Sequence, residues 1–241
     1  MTIRTTVSII LTLFISVNTF AQHSKDTSFV QASIQSAEDI YKKSIENQSH
    51  RYNGKEYIHL KTTRKEIGHL YFLEDDWYDG SIEYSNENYT NVSMRYDVLR
   101  QKIVIEFGEG IDEIELINEK INQFAMAGHT FKNIRAEDNS TIKAGYYDIL
   151  YAGKTQVLAY RQKIIQEQTE SGELVMKFLI KDKIFVYKNA IYYQITNKSS
   201  LIKVLGDHKQ EIKKYISKMK INYRDNREAA VKEITGYYDQ L

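Results

Sequence analysis

Residues 80–107 read GSIEYSNENYTNVSMRYDVLRQKIVIEF, and this stretch decides the fold. In its middle Val92, Met94, Tyr96 and Val98 alternate with Ser93, Arg95 and Asp97, a period of two that puts the apolar set on one face of a strand. Upstream, Ile82 and Tyr84 end at the turn-forming Ser85-Asn86-Glu87-Asn88. Downstream, Ile103, Ile105 and Phe107 resume the alternation after Leu99-Arg100-Gln101. The reading is three antiparallel strands joined by short turns, each half-buried.

Outward from this core the same signals continue. Tyr57–Leu60, His69–Leu73, Ile114–Leu116, Phe124–Met126, Phe131–Ile134, Tyr147–Tyr151 and a long Val157–Ile165 all read as strands, the last with Arg161 and Lys163 marking an edge or exposed face. Gln166–Glu173 is charged and reads as flexible, and Lys183–Tyr187 with Ile191–Ile195 reads as a hairpin. The period is 3.6 at both ends of the chain. Val30, Ile34, Ala37, Tyr41 and Ile45 share one helical face, and a hairpin of two helices over 200–241 is expected to be capped by Asp207 and Asn226. The fold class is α+β, predominantly antiparallel β. The expected architecture is a curled β-meander, a sandwich or open barrel, with an N-terminal helix and a C-terminal αα-hairpin.

The first residues bear on location. One positive charge, an apolar run over Val7–Val17 and Thr19-Phe20-Ala21 form the pattern of a signal peptide over 1–21. One β-rich domain over 22–241 is then expected, periplasmic or secreted, and no stretch is suited to span a membrane. The chain has no cysteine, which excludes disulfides, thiolate metal sites and a lipidated anchor. Zero proline leaves the turns to Gly, Asn, Asp and Ser. Without Arg4 the formal charge falls from +1 to neutral, a poor basis for nucleic-acid binding. That neutrality is uneven: Lys203–Lys232 holds nine Lys or Arg against four Asp or Glu, a net +5. This suits either docking on acidic loops or weak contact with an anionic surface.

Several phrases together resemble a group of exported proteins of Gram-negative bacteria that carries no assigned activity. They are Tyr52-Asn53-Gly54, Gly68-His69-Leu70-Tyr71-Phe72, Trp77 with Gly80-Ser81-Ile82, Asn91-Val92 leading to Tyr96-Asp97, and Tyr237-Tyr238-Asp239-Gln240-Leu241. The resemblance implies kinship over nearly the whole mature chain. It brings no cofactor and no catalytic residue.

Motifs for nucleophilic, zinc, nucleotide or calcium chemistry are lacking, and the six histidines have no ligand-pair spacing, so neither cofactor nor metal is expected. The 19 tyrosines are the more informative excess. Many alternate inward and suit a core, among them Tyr84, Tyr96, Tyr147 and Tyr151, whereas Trp77 and Tyr78 lie in the polar loop after Glu74-Asp75-Asp76 and are the candidate ligand-binding residues. The expected function is non-enzymatic: an envelope or secreted protein binding a partner protein or polymer through aromatic-rich loops and a sheet edge. The alternatives are a periplasmic carrier of an apolar or amphipathic ligand inside the curled sheet, and a hydrolase using the acidic loop at 74–79.

Overall fold

The computed structural model describes residues 30–37, 53–107, 112–135 and 142–241. The signal peptide, the leader at 22–28, most of the loop expected at 136–143 and the continuation of the first helix toward Asn47 lie outside these residues. The chain divides into two compact units, Met1–Ser49 and His50–Leu241. In the first, residues 30–37 form helix α1, whose Val30 and Ile34 are exposed rather than part of a buried face. Everything below concerns the second unit.

Its strands are β1 (Lys55–Glu56), β2 (Lys65–Ile67), β3 (Tyr78–Tyr84), β4 (Glu87–Asp97), β5 (Lys102–Phe107), β6 (Asp112–Glu115), β7 (Ile121–Met126), β8 (His129–Ile134), β9 (Gly145–Ala152), β10 (Gln156–Tyr160), β11 (Lys163–Glu170), β12 (Glu173–Ile180), β13 (Lys183–Lys188) and β14 (Ile191–Ile195). Helices α2 (Lys198–Val204), α3 (Lys209–Lys218) and α4 (Arg227–Tyr238) follow. Eleven strands form one antiparallel sheet in the order β1-β6-β5-β4-β3-β7-β8-β9-β10-β13-β14. A smaller sheet, β11-β12-β2, pairs β2 parallel to β12.

The turns explain the registers. Ser85-Asn86, Ala127-Gly128, Ser171-Gly172 and Asn189-Ala190 are two-residue loops with positive φ at both positions, between 49° and 86°. Their twist matches that of the strands they join. Gly80 serves another purpose. It lies on β3 between β4 and β7, and a Cβ there would fall 2.2 Å from the Ala125 carbonyl oxygen. Only glycine permits that approach.

The large sheet curls. Tyr96 on β4 and Tyr146 on β9 stand four strands apart, roughly 19 Å on a flat sheet, yet their ring centroids are 5.6 Å apart. The Gln101 side chain at the β4–β5 turn likewise reaches the Arg161 carbonyl beyond β10 at 2.8 Å. The sheet does not close, since its outer members β1 and β14 do not pair with each other.

One face of the sheet carries two apolar cores. Over β3–β9, Tyr84, Tyr96, Phe124, Phe131 and Tyr146 pack with Ile82, Met94 and Ile105, and Phe72 from the preceding loop joins them. Over β9–β14, Val157, Ile184, Val186 and Ile195 pack against α2–α4 through Leu201, Leu205, Ile212, Val231 and Ile234. Burying each such aliphatic side chain contributes about 1.5–3 kcal/mol. On the opposite face Met176 and Phe178 of β12 cover Val104 and Tyr71.

Four expectations about strands need correction. Tyr57–Leu60 is not a strand, since pairing with β6 covers only Lys55 and Glu56 just before it. Val157–Ile165 is not one strand: at Arg161-Gln162 the chain passes from the large sheet to the small one, and the Gln162 N–H donates to Asp182 at 3.0 Å. Gln166–Glu173 is not a flexible segment but most of β11 with its tight turn to β12. His69–Leu73 is not a strand. A single bridge joins Tyr71 to Asp97, bounded by left-handed backbone at Gly68 (φ 83°) and Leu73 (φ 55°), while the His69 and Tyr71 carbonyls accept from the Lys163 ammonium at 2.8 and 2.6 Å.

The helical caps follow the sequence in part. Asn226 caps α4 by accepting from the Ala229 N–H at 2.9 Å, and Asn197 with Ser200 forms a capping box on α2. Asp207 does not cap α3; it accepts from Lys188 and Tyr238 instead, at 2.8 and 2.6 Å. Just beyond α4, Asp239 accepts from the Thr155 N–H at 2.9 Å and the Tyr151 hydroxyl at 3.2 Å, closing the β9–β10 turn.

Candidate functional site

The structure pins the aromatic loop to the sheet. Trp77 stacks on the Arg95 guanidinium at 4.0 Å, and Tyr71 covers the other side at 4.4 Å. Arg95 donates to Asp75 at 3.0 Å and to Glu113 at 2.5 Å, so its charge is matched within the fold. Asp76 accepts from the Trp77 N–H at 2.8 Å. Tyr78 opens β3 and packs half-buried against the aromatic core. Both predicted ligand-binding residues are therefore half-buried, with one side engaged by scaffold contacts. Asp75 of the acidic loop is committed to Arg95.

A second locus was not anticipated. Where the two cores of the large sheet meet, Asp148 on β9 is 1% exposed. It accepts from Arg161 Nε at 3.0 Å and Nη2 at 2.6 Å, and lies 2.8 Å from His129 Nδ1. Arg161 also donates to Asp182 at 2.8 Å and to Glu228 on α4 at 2.5 and 3.0 Å. Burial works against the Arg161 charge, but the hydrogen bonds to Glu228, Asp182 and Asp148 outweigh it and hold its pKa above the ordinary arginine value. A cleft of about 300 Å³ opens beside the cluster, lined by His129, Asp148, Glu228 and Lys232. Chemically the cluster is an ion-paired bridge between sheet and helix, and no group of three His, Asp or Glu side chains among the described residues could hold a metal ion. Its members are spread from 129 to 228, so no local motif marks them. The one available signal was a charged residue, Asp148, inside an otherwise apolar alternating strand.

The third locus is the small sheet. Strand β11 pairs on one side only, with β12. The Lys181 N–H donates to the Gln162 carbonyl at 2.9 Å, which sets the phase of the ladder. Gln166 and Gln168 then direct their backbone groups to β12, while Ile165, Glu167 and Thr169 direct theirs outward. Ile164 and Ile165 on this strand and Leu174 and Ile180 on β12 are exposed apolar side chains. Glu167 forms an ion pair with Arg64, and Lys177 with Glu170 at 2.5 Å. An edge of this length, flanked by isoleucines, offers main-chain hydrogen bonds and side-chain contacts together.

Comparison with protein-family models, with curated proteins and with solved structures finds no match to this chain.

Proposed function

We propose that the protein is a non-enzymatic binding protein of the envelope or extracellular space that takes an extended segment of a partner protein as an added strand on β11. The observation that carries this reading is the outward-facing backbone of Ile165, Glu167 and Thr169 beside exposed Ile164 and Ile165. Strand addition supplies affinity through main-chain hydrogen bonds and specificity through alternate side chains, and neither requires a pocket. The location rests on the signal pattern at residues 1–21. The carrier alternative draws less support: Tyr96, Phe124, Phe131 and Tyr146 touch one another at 4.6–5.6 Å between centroids, filling the space where a ligand would sit. The hydrolase alternative draws less as well, with Asp75 held by Arg95.

A photo-cross-linker at Ile165 tests the reading in intact cells, with the captured chain identified by mass. Glu167→Pro removes an outward N–H without touching the β12 ladder, and is expected to abolish the cross-linked species while Glu167→Ala retains it. A species that survives Glu167→Pro, no captured chain at all, or a second copy of this chain would each overturn the proposal.

A further inference from the structure

A groove of about 440 Å³ runs between the end of α3 and the start of α2. Its apolar lining is Ile216 and Ile221, and Lys198, Lys213 and Lys220 stand on it as cations. None of the three lysines forms an ion pair among the described residues. Over Lys209–Lys220 the chain carries five lysines against Glu211 alone, and Asp225 beyond it accepts from the Asn222 amide at 2.6 Å. Lysines near a helix C-terminus favour its dipole. That accounts for Lys218 and Lys220 but not for Lys198, which comes from the neighbouring helix.

The backbone at Lys220 gives a second, independent indication. Helix α3 ends in the motif in which Ile221 N–H donates to the Ile216 carbonyl at 3.1 Å and Lys220 N–H to the Ser217 carbonyl at 3.3 Å. The residue between cap and closing bond must be left-handed, and glycine is the usual occupant. Here it is Lys220, with φ 53°. A lysine in that conformation costs stability that glycine would not, and it places a cation on the groove. Met219, half-exposed beside it, adds an apolar side chain to the same surface.

We infer that this groove receives the phosphate of an anionic phospholipid headgroup, so that the α2–α3 surface docks on a membrane. The lysines supply the charge, Ile216 and Ile221 the apolar part of the lining, and Met219 a side chain able to enter the headgroup layer. This surface is distinct from β11 and does not depend on the partner-binding reading.

Flotation of the full chain with unilamellar vesicles tests the inference. Binding to vesicles of phosphatidylglycerol in phosphatidylcholine at low ionic strength is expected, with none to phosphatidylcholine alone. Each near-surface lysine is worth about a fivefold gain on an anionic surface. Replacing Lys198, Lys213 and Lys220 together by Gln is therefore expected to weaken binding on the order of a hundredfold. The same change at Lys132, Lys154 and Lys181, exposed on the sheet, is expected to leave it unchanged. Lys220→Gly separates site from scaffold: it should raise the unfolding midpoint while lowering vesicle affinity by about fivefold. Equal binding to neutral vesicles, or an equal loss in the sheet-lysine variant, would overturn the assignment. So would release by inorganic phosphate beyond that by chloride at matched ionic strength, which would make a free anion the ligand.

Discussion

Between β3 and β9 the large sheet covers its apolar face with itself, whereas between β9 and β14 the same face is covered by helices. The first half uses rings: across the curl Tyr96 meets Phe124, Phe131 and Tyr146 edge to face, Phe124 stacks on Phe131, and Tyr84 packs in the same core. The second uses only aliphatic side chains among its buried members, from Val157 to Ile234. The difference follows from reach. Facing strands of a curled sheet leave a gap that long, flat side chains bridge, while helices bring their own surface within range of Ile, Leu and Val. Where the two solutions meet, neither suffices, and Arg161 joins Asp148 of the sheet to Glu228 of α4.

Arg161→Met strikes that junction and should have the largest effect. It leaves Asp148 buried without its main partner, at a cost of about 4 kcal/mol. In urea the two halves should then lose structure at different midpoints, fluorescence of the single tryptophan, Trp77 stacked on Arg95 of β4, reporting the aromatic half and far-ultraviolet dichroism the helices. A single unshifted transition would show that the halves do not depend on this bridge.

Ile234→Ala acts on the helical half alone, at about 3 kcal/mol. Amide exchange should accelerate in α2–α4 and β13–β14 while β3–β8 stay protected. Uniform acceleration would mean that the two cores open as one.

The smallest effect belongs to Asp207, which ties β13 to α4 through Lys188 and Tyr238. Its slight burial tends to raise its pKa, but hydrogen bonds from Lys188 and Tyr238 outweigh that and bring it from 3.8 to about 2. A depressed carboxylate stabilises the fold above its unfolded pKa and stops doing so as pH falls through the folded one. With Asp207 half-exposed, the helical half should lose less than about 1 kcal/mol between pH 3.8 and about 2. Asp207→Asn should flatten that part of a pH–melting profile.

Much of the aromatic half was legible in the sequence because β3–β5 carry their alternation within one local stretch and turn on Ser85-Asn86. The C-terminal helices were legible for the same reason, a sustained period with Asn226 as cap. What escaped depends on distant partners. Lys163 reads as an edge residue, yet its ammonium reaches inward to the His69 and Tyr71 carbonyls, 92 or more residues away in sequence. Arg161 looked like part of a continuous strand, and only its three carboxylate partners explain the break. Tyr96 and Tyr146 are legible as tyrosines of alternating strands, but that their rings meet follows from the curl, a property of many strands at once. For Trp77 the loop was found and its anchor was not, since nothing near it in sequence announces Arg95.

The Asp239 clamp on the β9–β10 turn has a consequence in time. Thr155 waits for a partner 84 residues downstream. At about 5–20 residues per second of synthesis, that delay is several seconds. The β3–β5 meander, by contrast, is complete as soon as it emerges. A nascent chain thus passes through an interval in which its aromatic half can be ordered while the β9–β10 turn remains unlatched, and any factor that attends this chain during synthesis would meet it in that half-finished state.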